Sequence, residues 1–454
     1  MIGGNTQGGS IHEFYLPKNT PRLPTVTHGE GIYLYTSDGR KLLDGSSGPI
    51  AINVGYGNNR IISALHDQAA KTPFASYRSF ETSANVELSD KLCSLCGPGY
   101  DRAFFVSGGS EAIECCIKLL RNWAVAKGEP KRWKIISRMP SYHGSTLGAL
   151  SITGDPVAHE MYGPMMASQP KVPTPFTYRI PSPFTTPAEY SAECLRQLEA
   201  TIVSEGPETI LGFIMEPVGG LATGALVAPD AYCKGVRELC YKYKIILVFD
   251  EVMTGAGRTG KFLAAHWWPD AKPDVVVMAK GLSSGYIPLG AVVAPNWIVQ
   301  TITDKMGGFN HGHTYTSTPL QCAVASACLD VLIDDGLMEN CCRMGDELLS
   351  TLLAVQSRTK TVGDVRGKGL LMAVEIVKDS DTKEMWDMGV RAAYRIATKA
   401  EARGVVLYVR VTANGAFGQW IMVAPPLIVT KSEIEFIGNV IEESVKEFEL
   451  EMGL

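Results

Sequence analysis

"PDVVVMAKGLSSGYIPLGA", residues 273–291, carries five apolar residues in a row that end in Lys280, and Lys280 is followed at once by a glycine. A run without polar alternation reads as a strand buried on both faces of a parallel sheet. At the end of such a strand an ammonium sits beside the core, where loss of water lowers its pKa. The ordinary alternative is a stem that carries its charge out to solvent once the strand is over. Which reading holds for Lys280 depends on what the rest of the chain brings to the same place.

Outward from this run, strand-like and helical stretches alternate from about residue 86 to 325. "RAFFVSGGS" leads into "EAIECCIKLLRNWAVA", whose apolar residues recur at helical spacing; "KIIS", "TILGFIMEP" and "YKIILVFDE" follow. The alternation predicts an α/β fold, with a large domain over 76–325 built on a mostly parallel central sheet covered by helices. "KVPTPFTYRIPSPFTTP", residues 171–187, reads as a surface excursion. Residues 326–454 change texture: one long helical stretch through "LDVLIDDGLMENCCRMGDELLSTLLAVQ", strand-like "LLMAVEIV" and "GVVLYVRV", then an amphipathic helix. They predict a smaller α+β C-terminal domain. Residues 1–75 form short alternating pieces, with Asp38-Gly39 as a hairpin turn, and are expected to pack with that small domain.

Of 454 residues, 45% are hydrophobic and 20% charged, an ordinary globular balance. A formal charge of −5 offers no electrostatic case for nucleic acid or a membrane surface. Apolar runs are far too short to span a bilayer, and "MIGGNTQGGS" lacks the basic and apolar regions of a signal peptide, so a cytoplasmic protein is expected. The eleven cysteines read as free thiols, and the lone C-x-x-C of "CSLC" has no second pair to make a metal site.

Three features fall where strands of such a sheet end, the place where open α/β sheets bind ligands. "FFVSGGSEA" breaks a strand at Gly108-Gly109 and opens a helix that Ser110 is expected to cap, which suits an anion such as phosphate. In "KIILVFDEVMTGAGRTG", Asp250 ends an apolar strand and needs a cation, either Arg258 or the protonated ring nitrogen of a cofactor. Lys280 follows thirty residues after Asp250, one strand–helix–strand unit on. Phosphate cradle, buried carboxylate and buried lysine are the parts pyridoxal 5'-phosphate requires, and "SYHGST" adds Tyr142, able to stack on a planar ring, and His143.

The set "SGGSEA", "YHGSTLGALSITG", "MEPVGG", "FDEVMTGAGRTGKF", "PDVVVMAKGLSSGYIPLGAV", "HGHTYTSTPLQCAVA" and "APPLIVTKSEI" resembles the class III aminotransferases of pyridoxal-phosphate fold type I over nearly the whole chain. The resemblance implies that Lys280 bears the cofactor, Asp250 partners its ring nitrogen, and Gly109 and Ser110 hold its phosphate. It also implies Tyr142 and Val252 on the two ring faces, and Glu216 nearby. Thr314 would be a phosphate ligand given to the other subunit of a homodimer, with pairing of dimers into tetramers left open. Where members resembling ornithine or 4-aminobutyrate aminotransferases carry a glutamate and an arginine, this chain has Leu221 and Met422. Arg410 falls where ω-amino-acid and amine:pyruvate members keep a mobile arginine, and Ile50 and Arg78 fall near positions lining their substrate pocket. The implied activity is transfer of an amino group from an ω-amino acid or primary amine to a keto acid, chiefly pyruvate, with pyridoxamine phosphate as the intermediate form. An aminomutase, racemase or decarboxylase on the same fold, a non-catalytic homologue and a cofactor-free lysine aldolase are the rival readings.

Overall fold

A computed structural model describes residues 24–454. At its centre is a seven-stranded sheet, ordered Arg102–Val106, Gly290–Ala294, Val275–Met278, Ile246–Asp250, Ile210–Met215, Lys134–Met139 and Lys171–Pro173. Six of these strands run the same way, while Gly290–Ala294 is antiparallel to both of its neighbours. The four central strands are buried along their whole length, as unbroken apolar runs require. Their side chains alternate between two cores: Val275, Val277 and Val248 on one face, Val276, Met278 and Phe249 on the other. Burying each such side chain contributes about 1.5–3 kcal/mol, so the strand ends are among the most firmly held places in the molecule.

The end of the run explains its glycine. The strand stops at Met278, Lys280 opens a single 3₁₀ turn, and its φ of +46° lies in the left-handed region that side chains avoid. A Cβ on Gly281 would lie 2.2 Å from Nδ2 of the buried Asn53, so no larger residue fits there.

Two smaller sheets flank the central one. Val362–Lys368, Leu371–Ile376, Trp420–Val423 and Tyr408–Arg410 form an antiparallel sheet in that order. Val26–Glu30, Tyr33–Thr36 and Lys41–Asp44 form another, closed by Val405–Val406, which runs parallel to Lys41–Asp44. Asp38-Gly39 does turn between the strands Tyr33–Thr36 and Lys41–Asp44, with Gly39 at φ +85°.

Several elements differ from the sequence reading. The long helical stretch breaks at Gly336, φ +61°, into Pro319–Asp334 and Leu337–Ser357. "GVVLYVRV" is divided at Leu407 between two sheets. Val362–Lys368 carries no clear strand pattern in the sequence, because only Val362 and Val365 are buried along it. The stretch 171–187 is not wholly a surface excursion: Lys171–Pro173 is an edge strand, and Val172, Thr174 and Phe176 are buried. Among the described residues no helix is long and apolar enough to cross a membrane, and all eleven cysteines are free.

Candidate active site

Because six strands point the same way, their carboxyl ends assemble one rim. Asp250 ends one strand, Lys280, Glu216 and Tyr142 follow three others, and all four line a cavity of about 460 Å³, within the size range of small-molecule sites. Gly109, Ser110, His143, Val252 and Arg410 line it too. Ile50, Arg78 and Thr314 do not. Ile50 is buried in the core behind Pro49, which takes the place on the cavity wall. Arg78 is exposed, its Nε donating to the Tyr77 hydroxyl at 3.3 Å. Thr314 is exposed in the turn before the helix Pro319–Asp334.

The helix Gly109–Ala126 begins at Gly108 with no side chain capping it. Ser110 is therefore not the cap; it sits inside the first turn, where its Oγ accepts the Ser145 N–H at 3.1 Å. Uncapped N–H groups at the start of an eighteen-residue helix make an anion site. Gly109 faces Val252, whose Cγ1 would lie 3.0 Å from any Cβ added there.

Asp250 does not pair with Arg258. Its Oδ2 meets Nδ1 of the buried His143 at 2.8 Å and its Oδ1 accepts the Val252 N–H at 3.1 Å. Nε2 of His143 has no hydrogen-bond partner among the described residues. Arg258 instead spends its guanidinium on the carbonyls of Leu370 and Pro425, on Ser47 Oγ and on Asn53 Oδ1. Glu216 is buried and accepts the backbone N–H groups of Gly220 at 2.8 Å and Tyr142 at 3.3 Å. Burial, with Asp250 adding to it, pushes the Glu216 carboxyl above its ordinary pKa, against the opposing pull of His143 and Arg138.

Lys280 Nζ donates to the Pro49 carbonyl at 2.8 Å. Burial lowers its pKa from 10.5 to about 8; the nearby Arg410 pushes the same way, while Asp250 and Glu216 resist. Water reaches the side chain through the cavity, so it is half-buried by surface area although protein walls surround the ammonium. In the same cavity the Arg410 guanidinium lies 4.8 Å from the centroid of the Tyr142 ring. The Pro49 carbonyl could not be read from sequence, because a backbone oxygen carries no residue signature.

These residues fit pyridoxal phosphate: free helix N–H groups for its phosphate, a buried carboxylate on a neighbouring strand end, and a lysine of lowered pKa in the same cavity. The comparisons with known proteins agree. The family model for aminotransferase class-III matches residues 15–445. A putrescine–pyruvate aminotransferase of Pseudomonas aeruginosa is 32% identical over 432 residues, covering 93% of this chain and 90% of that protein. A transaminase from the marine bacterium Virgibacillus superposes with a TM-score of 0.90 at 33% identity, over 97% of this chain and 98% of that one. An amine transaminase from an uncultivated Pseudomonas species, solved with pyridoxal phosphate bound, does so with a TM-score of 0.90 at 32% identity, over 96% and 98%. Fold, cavity and family match converge, and this chain belongs to the class III aminotransferases, transaminases of fold type I that depend on pyridoxal phosphate.

Proposed function

We propose that this transaminase takes ω-amino acids or primary amines as donors and pyruvate as acceptor, in two half-reactions at one cavity. Arg410 is the observation that carries the substrate reading. Its guanidinium stacks on Tyr142, and among the described residues no carboxylate lies within ion-pair distance of it. Such a cation pairs bidentately with a substrate carboxylate and returns to the aromatic face when an uncharged substrate enters. Val218, Leu221 and Met253 add apolar lining to the same cavity, which suits a tail without charge. Met422 is wholly buried, so no second guanidinium competes at that position.

Bound pyridoxal phosphate supplies an electrophilic carbonyl and an electron-accepting ring. Lys280 would hold it covalently through Nζ and, with Nζ free, would take the proton from the substrate carbon as general base. A pKa of about 8 leaves enough neutral amine for that task near neutral pH. The Pro49 carbonyl holds Nζ at the cavity wall, toward the space the cofactor would fill. Asp250 would keep a proton at the ring nitrogen, and His143, 2.8 Å from its Oδ2, orients it. Gly109 and Ser110 receive the phosphate at the helix start, and Val252 and Tyr142 wall the ring space. Exposed Thr314 serves the phosphate of the partner's site in a homodimer.

The test is the visible spectrum of the holoprotein, with β-alanine and 1-phenylethylamine added separately. A yellow band that fades with the amine and returns with pyruvate, but not with 2-oxoglutarate, supports the reading. A band that persists with every amine sinks the proposed donors and favours an aminomutase, racemase or decarboxylase.

A further inference from the structure

Arg258 is a wholly buried cation to which, among the described residues, no carboxylate is bound. Burial accordingly lowers its pKa to about 10. An uncompensated buried guanidinium is costly, so its four acceptors show what it holds together. Nη1 donates to the carbonyls of Leu370, at 3.1 Å, and Pro425, at 2.6 Å. Nη2 donates to Ser47 Oγ at 3.1 Å and to Asn53 Oδ1 at 2.8 Å.

Ser47 and Asn53 bracket the loop that contains Pro49, whose carbonyl receives Lys280 Nζ. That loop is strained: Ser47 and Ile50 have φ of +54° and +60°. Non-glycine residues stay in that region only when their surroundings over-determine them. Asp44 fastens one end of the loop through the Gly48 N–H at 2.9 Å, and Arg258 fastens both sides of Pro49. Asn53 also presses on Gly281, next to Lys280 in the chain.

We infer that Arg258 is a positioning residue for Lys280, acting through residues 47–53 to hold the Pro49 carbonyl where Nζ meets it. The inference rests on Lys280 being the lysine that bonds the cofactor. Its signature is selective. Pyridoxal phosphate needs Lys280 for its covalent attachment; pyridoxamine phosphate does not. Misplacing the lysine therefore weakens only the first, whereas general loosening of the fold weakens both.

The experiment titrates apoprotein with each compound, following absorbance for pyridoxal phosphate and tryptophan fluorescence for pyridoxamine phosphate. Arg258→Lys keeps the charge but cannot reach four acceptors. It is expected to weaken pyridoxal phosphate by about tenfold, the scale of one lost hydrogen bond to a charged group, and pyridoxamine phosphate by less than about twofold. In a Lys280→Ala background, Arg258→Lys should cause no further loss, because the residue through which it acts is gone. Equal weakening of both compounds, no weakening of either, or an undiminished effect without Lys280 overturns the inference. Should Arg258→Lys fail to fold, Asn53→Ala breaks the same link from the loop side and is judged by the same arms. If Lys280→Ala alone leaves pyridoxal phosphate binding and its yellow band intact, the reading of Lys280 falls and the inference with it. The other overturning outcomes leave that reading standing.

Discussion

Lys280 combines two unfavourable states, a left-handed backbone and a desolvated ammonium, at one residue. Such a combination persists only where the surrounding core imposes it, and here the buried strand and Asn53 do so. The sign of the pH effect follows directly. Since the pKa in the fold lies near 8, below the ordinary 10.5, the neutral amine that attacks the cofactor carbonyl accumulates as pH rises through 8. Uptake of pyridoxal phosphate by apoprotein should therefore accelerate with an inflection near 8, read as growth of the yellow band; an inflection above 10 would contradict the desolvated site. Asp250→Asn keeps the shape but cannot hold the ring nitrogen protonated. Turnover should fall by about 10²–10⁴-fold, the range for a positioned acid–base group, with cofactor still bound by absorbance.

At the scale of the element, the helix Gly109–Ala126 gives up a side-chain cap and keeps its first N–H groups for an anion. Gly109→Ala brings a methyl group to 3.0 Å from Val252 Cγ1, so Val252 or the helix start must give way. Retention of cofactor on dialysis should weaken by about tenfold, the scale of one charge-assisted hydrogen bond, while the melting temperature changes little. The C-terminal helix Lys431–Glu451 is built the opposite way. Thr430 and Glu433 form a reciprocal capping box, and Ile434, Ile437, Ile441, Val445 and Phe448 line its buried face. Thr430→Ala should cost about 1 kcal/mol in denaturant unfolding without changing cofactor affinity. The two helix starts thus separate function from stability.

At the scale of the whole molecule, the cavity draws on distant parts of the chain: Pro49, the strand ends from 107 to 289, and Tyr408 with Arg410. Exposed Thr314, off its own chain's cavity, extends this dependence to a second copy if the homodimer reading holds. Lys280→Ala and Thr314→Glu proteins, each inactive, should recover about a quarter of wild-type activity when dissociated and reassembled together, because half the dimers are then mixed and each has one intact site. No recovery from two inactive parents would mean that Thr314 serves the site of its own chain.

The local sequence determined the strand ends. Unbroken apolar runs made Lys280 and Asp250 legible as strand-end residues, and the glycine break before Glu111 marked a helix start for an anion. These features depend on near neighbours in the chain, which is the range that periodicity and turn chemistry report. Only the tertiary structure decided that His143, rather than Arg258, meets Asp250, that Ile50 turns into the core while Pro49 offers its carbonyl, and that one stretch, "GVVLYVRV", serves two sheets. Each of those outcomes is set by contacts between segments far apart in the chain. Such contacts arise from how closely packed elements fill space, and no short stretch of sequence records that.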